Sequence, residues 1–126
     1  MPAILPEEGG REYACTPEGL CAATADLRES AASRKALVIF DEIASNVVRE
    51  SGATVLRVDY RRFDDGERLV VSDDGVPFDP LGVPPPAEAG LERRAQGGVG
   101  LAIVRHWSKD LRYRRNGPFN ELTVTI

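Results

Sequence analysis

The hydrophobic period of this chain changes at Gly52, and that change restricts the fold more than any other feature. Before it, "RKALVIFDEIASNVVRE" places Phe40, Ile43, Ala44 and Val47 at helical spacing. After it, in "TVLRVDYRRF", Leu56, Val58 and Tyr60 alternate with Arg57, Asp59 and Arg61. That is the period-two pattern of a half-buried strand. Asp65-Gly66 then signals a tight hairpin, and "ERLVVSD" returns as the partner strand. An amphipathic helix followed by an antiparallel pair with one apolar face buries both surfaces by laying the helix on the sheet.

The flanking sequence extends this pattern. Residues 1–10 read as a flexible lead-in, with Pro2, Pro6, Gly9 and Gly10. "REYAC" predicts a short strand. Thr16-Pro17 predicts a helix start, with Thr16 as cap, and the helix runs to about Ala32 with Leu20, Ala23, Thr24 and Leu27 on one side. Ser33 opens the second helix, which stops at Ser51-Gly52. From Gly75 to Gly98 the chain is rich in Pro and Gly; this is long for a connection and predicts a lid over about residues 79–97. A third helix is expected from Gly98 to about Lys109. Two strands follow, "LRYRR" and "ELTVTI", linked by "NGPFN". The expected fold is α+β: a two-layer sandwich, with a mixed, mostly antiparallel sheet and about three helices on one face, in one domain over residues 11–126.

Composition excludes several classes. The 126 residues are 42% hydrophobic and 29% charged, with a net charge of −4, so no basic face for direct nucleic-acid binding is expected. Arg112, Arg114 and Arg115 read as a solvated strand edge. The longest apolar run, Ala36 to Phe40, is far below the roughly 20 residues of a membrane span. The N-terminus lacks the basic start and apolar stretch of a secretory signal. Cys15 and Cys21 have neither zinc spacing nor disulfide density, and His106 stands alone, so a cytoplasmic protein with reduced thiols is expected.

Three stretches could carry chemistry. On the second helix Glu42, Asn46 and Arg49 lie at i, i+4 and i+7; at ~100° per residue they share one stripe. A carboxylate, an amide oxygen and a guanidinium together can orient a hydroxyl, hold Mg²⁺ and meet a phosphate. In "VSDDGVPFDP", Asp73 ends a strand and points beneath the helices, where a carboxylate needs donors such as the exocyclic amine of adenine. Gly75 there permits close backbone approach, and Pro77 and Pro80 stiffen the exit. In "GGVGLAIVRH", Gly97, Gly98 and Gly100 precede a helix bearing Leu101, and a helix N-terminus attracts phosphate. Taken singly, these also fit a polar helix face, a polar turn and simple punctuation. Their joint occurrence in order, with the lid between the second and third, favours a nucleotide pocket.

These residues resemble the GHKL ATPase superfamily, which includes histidine kinases, the gyrase ATPase domain and the Hsp90 nucleotide domain. "DEIASN" resembles its N box, "DDGVP" its D-x-G-x-G G1 box and "GGVGL" its G2 box. The wording "DDGVPFDP…GGVGLAIVRH" is most similar to the small bacterial anti-sigma-factor serine kinases. The resemblance covers roughly residues 11–126 and implies a Bergerat-type ATP-binding fold with ATP and Mg²⁺ as cofactors. It implies Asn46 as the Mg²⁺ ligand and Glu42 as the base for a partner's serine. It implies Asp73 at adenine N6, with Asp74 only its neighbour, and Gly75 shaping the pocket. Gly97, Gly98, Gly100 and Leu101 would close the phosphate side, and Arg49 would contact phosphate. Pro77 replaces the second G1 glycine, Glu50 replaces a histidine of the usual helix ending, and Leu122 takes the position of a last-strand threonine that assists adenine. The implied partners are an anti-sigma-factor antagonist and/or a sigma factor, with a homodimer through the sheet or first helix. A degenerate ATP-binding module acting by sequestration is the alternative.

Overall fold

The computed structural model describes residues 10–77, 79 and 99–126. Its elements in chain order are β1 (Gly10–Ala14), α1 (Pro17–Glu29), α2 (Arg34–Glu50), β2 (Val55–Phe63), β3 (Gly66–Asp73), α3 (Val99–Trp107), β4 (Asp110–Asn116) and β5 (Phe119–Thr125). The strands form a five-stranded sheet in the order β1-β2-β3-β5-β4. Every pairing among them is antiparallel, so the parallel component expected in a mixed sheet is absent from the described strands.

Alternation sets the faces. Leu56, Val58, Leu69, Val71, Leu122 and Val124 are buried together with Ala23, Leu27, Ala36, Ile39, Phe40, Ile43, Ala44 and Val104 from the helices. The helices therefore cover one face of the sheet, giving the α+β two-layer sandwich. On the other face, side chains pair with each other: Arg57 with Glu12, Arg61 with Asp59, Arg112 with Asp110 and Arg114 with Glu121.

The ends of the helices follow local chemistry. Thr16 Oγ1 accepts from Gly19 N–H at 3.0 Å, capping α1 as the sequence indicates. A Cβ on Gly19 would lie 1.8 Å from the carbonyl oxygen of Ala14, so only glycine lets this turn pack on the end of β1. The helix stops at Glu29 rather than Ala32, because the chain turns left-handed at Ala31 (φ 63°). Ser33 caps α2 through its hydroxyl to Ala36 N–H at 3.0 Å, and Gly52 (φ 69°) follows its C-cap Ser51.

The β2–β3 hairpin turns one residue earlier than Asp65-Gly66 suggests. Phe63 pairs with Gly66, leaving Asp64 and Asp65 as the turn. Gly66 meets a different need: a Cβ there would lie 2.4 Å from the Ile126 carbonyl oxygen.

Candidate functional site

β3 sits between β2 and β5, and its last residue, Asp73, pairs with Leu56 on one side and Asn120 on the other. Asp73 is only 5% exposed. Its Oδ1 accepts from Gly75 N–H at 2.9 Å and from Asn120 Nδ2 at 3.1 Å. Its Oδ2 accepts nothing from the described residues, which leaves one acceptor of a buried carboxylate open to a ligand donor.

Asp74 has a separate task. Its Oδ1 accepts from Thr54 N–H at 2.8 Å and Val55 N–H at 2.9 Å, and its Oδ2 accepts from the Thr54 hydroxyl at 2.7 Å. The Val55 N–H, then the Thr54 hydroxyl, hold this carboxyl below its usual range. The two adjacent aspartates thus divide: Asp74 ties β3 to the start of β2, and Asp73 is buried against Gly75 and Asn120. Burial, and then the charges of Asp73 and Asp74, push the nearby Cys15 thiol upward.

The turn after Asp73 rests on the end of α2. Val76 N–H donates to Ser51 O at 3.2 Å, satisfying a carbonyl that the helix itself leaves open. A Cβ on Gly75 would meet that same oxygen at 2.5 Å and Ser51 Cβ at 2.7 Å. Glycine at this position is what lets the two backbones touch. Asn46 lies five residues before Ser51, about 8 Å back along the helix axis at its usual rise.

On α2, Glu42 and Asn46 are half-buried and Arg49 is exposed. Arg49 Nη2 donates to Asn46 Oδ1 at 2.8 Å, so the amide oxygen singled out as a metal ligand has a guanidinium against it. Glu50 is exposed, with an oxygen 3.8 Å from Arg49 Nε. Pro77 is exposed. Gly100 and Leu101 lie in the first turn of α3. Gly97, Gly98 and, apart from the exposed Asp79, the lid lie outside the described residues.

Three site residues escaped the sequence reading. Leu122 pairs with Val71 and is buried in the apolar core, so it is not the last-strand residue beside Asp73; Asn120 is. Asn120 shares the inward parity of Leu122, Val124 and Ile126, a signal present in the sequence. Arg115 lies on the edge strand and is exposed, as expected, but its guanidinium also reaches inward. Its Nη1 donates to Gly75 O at 2.9 Å and to Asn120 Oδ1 at 3.3 Å. Tyr113 donates its hydroxyl to Asn120 Oδ1 at 2.7 Å.

Residues 18–126 match the family model described as histidine kinase-like ATPase domain. The chain belongs to that family. The histidine kinase-like ATPase domain therefore accounts for nearly all of the described fold. The chain is also similar to the serine/threonine-protein kinase BtrW of Bordetella bronchiseptica, with 36% identity over 58 residues. That stretch covers 45% of this chain and 41% of the relative, so the match spans about two fifths of the relative's length. No helix among the described residues is long and apolar enough to cross a membrane.

The donor set of this ATPase domain suits a nucleotide. A buried carboxylate oxygen is open to an amine, while the close approach that Gly75 permits is to Ser51 of α2 rather than to a ligand. No group of three His, Cys, Asp or Glu among the described residues could hold a metal unaided.

Proposed function

We propose that the chain binds Mg-ATP between α2 and the end of β3, and transfers the γ-phosphate to a serine of a regulatory protein partner. The observation that carries this reading is Asp73: nearly buried, held by Gly75 and Asn120 through one oxygen, and open through the other. Nothing in an apolar core requires a carboxylate in that state, whereas the exocyclic amine of adenine supplies the missing donor.

Asn46 would offer its amide oxygen to Mg²⁺ once Arg49 moves from it, and Arg49 would then meet phosphate charge. Bound Mg²⁺ would supply neutralisation of the phosphate oxygens. Glu42, one helical turn before Asn46, would accept the proton of the attacking serine hydroxyl. The glycines Gly98 and Gly100 and the lid would exclude water. The resemblance to anti-sigma-factor serine kinases, and the similarity to a serine/threonine-protein kinase, point to an anti-sigma-factor antagonist as the phosphate acceptor. A sigma factor would be the sequestered partner.

The test is transfer of labelled phosphate from Mg-ATP to purified antagonist proteins encoded in the same genome. Glu42→Ala is expected to lower transfer at least ~100-fold, the usual scale for a lost general base, while leaving ATP affinity within about threefold. Unchanged transfer would remove Glu42 from the mechanism.

One observation favours a second reading. The Arg49 hydrogen bond to Asn46 Oδ1 occupies the atom that Mg²⁺ needs. A domain that binds ATP without using it, and acts by sequestration, would retain such a contact. Tight nucleotide binding with no transfer to any antagonist would select this reading.

A further inference from the structure

Asp73, Asn120 and Arg115 are direct neighbours in one row across β3, β5 and β4. The row runs from a carboxylate through an amide to a guanidinium. Asn120 Nδ2 donates to Asp73 Oδ1 at 3.1 Å and to Val76 O at 2.8 Å. Asn120 Oδ1 accepts from Tyr113 at 2.7 Å and from Arg115 at 3.3 Å. Each donor and acceptor site of the amide therefore has a partner.

The orientation of this amide is dictated by its neighbours. A guanidinium can only donate, and a carboxylate and a carbonyl can only accept. Flipping the Asn120 amide would set its NH₂ against Arg115 and its oxygen against both Asp73 and Val76 O. The amide dipole therefore has one sense, nitrogen toward Asp73 and oxygen toward Arg115. Arg115 also holds Gly75 O at 2.9 Å, so the same cation fixes the turn that carries the Gly75 N–H.

We infer that Tyr113, Asn120 and Arg115 form the base-reading support of this site: they clamp Asp73 by Oδ1 so that Oδ2 is presented to the amino group of a 6-aminopurine and rejects a 6-oxopurine. This rests on the ATP reading of the same pocket and adds to it the residues that set base selectivity. Asn120 is a positioning residue acting through Asp73, and Tyr113 and Arg115 act through Asn120. The edge strand β4, which reaches Asp73 only through Asn120, thereby controls which purine is accepted. A 6-carbonyl facing Oδ2 would set two acceptors together in a buried place, a cost that the clamped carboxylate cannot relieve by rotating.

The experiment is calorimetric titration of the whole chain with Mg-ATP and with Mg-ITP, which differ at the purine 6-position. The unaltered protein is expected to favour ATP at least ~10-fold, the scale of one hydrogen bond to a charged group. Asn120→Leu is expected to bring that ratio to about 1–3 while ITP affinity stays within about twofold, because Asp73 then keeps only the Gly75 N–H and can turn its carboxylate. Tyr113→Phe removes one hydroxyl and is expected to reduce the ratio by about 2–5-fold in a chain whose thermal transition is unchanged. If Asn120→Leu does not fold, Tyr113→Phe alone decides. A ratio that both variants preserve, or equal weakening of both nucleotides, overturns the inference and leaves the ATP reading standing. Failure of the unaltered chain to bind either nucleotide overturns that reading itself, and the inference with it.

Discussion

Three carboxylates in this domain differ in what surrounds them, and their tasks differ accordingly. Asp73 keeps one oxygen open, Asp74 is spent on the backbone of β2, and Glu67 is spent on a helix cap. Burial pushes the Glu67 carboxyl up, but donation from the Ser33 hydroxyl, the Tyr60 hydroxyl and the Ser33 N–H outweighs it and leaves it lowered. Burial and the bond to Glu67 push Tyr60 up to about 12. A carboxyl lowered in the folded state adds stability above its unfolded value of 4.5, and that stability is lost as pH falls through the lower folded value. Glu67→Gln is expected to lower the unfolding midpoint at neutral pH and to flatten its fall on acidification. Thermal melts from about pH 7 to pH 3 check this. Glu67 lies six strand positions from Asp73, roughly 20 Å away, so ATP affinity is expected to be unchanged. An acid profile identical in both proteins would remove Glu67 from the account of stability.

At the scale of elements, helix α2 is fixed against β3 at both of its ends. Helix α2 has 17 residues and strand β3 has 8. At their usual rises these are about 25 and 27 Å long, so one helix can be pinned to one strand at both ends. Ser33 N–H donates to Glu67 Oε2 at 3.0 Å at one end, and Val76 N–H donates to Ser51 O at 3.2 Å at the other. Gly75→Ala is expected to force the second pin apart, costing about 1–3 kcal/mol in chemical denaturation and weakening ATP binding. Wild-type stability in that variant would show that the contact with Ser51 is incidental. The helix, its serine cap and its glycine stop were legible in the sequence, because period and capping are local. The pin at Ser51 was not, since it depends on two backbones meeting from distant parts of the chain. The glycine at 75 carried a hint of close approach without naming what approaches.

At the scale of the whole molecule, the sandwich and the order of motifs were readable, but the sheet order was not. Placing β5 between β3 and β4 brings Asn120 and Arg115 to Asp73 across more than 40 intervening positions, and no local pattern encodes that insertion. Leu122 and Asn120 point the same way from β5, so alternation could not choose between them; the register with β3 does. Arg115 has the parity of Leu111 and Tyr113, opposite to Arg112 and Arg114, but only the sheet order shows that it reaches the Gly75 carbonyl. The whole arrangement converges on one open oxygen. Asp73→Asn replaces that acceptor with a donor while keeping the side chain's shape. Isothermal titration of Mg-ATP into the natural chain should give one site per chain, and the Asn variant, folded by thermal melting, should bind at least ~10-fold more weakly. Equal affinities in the two proteins would mean that the carboxylate at the end of β3 does not receive the base.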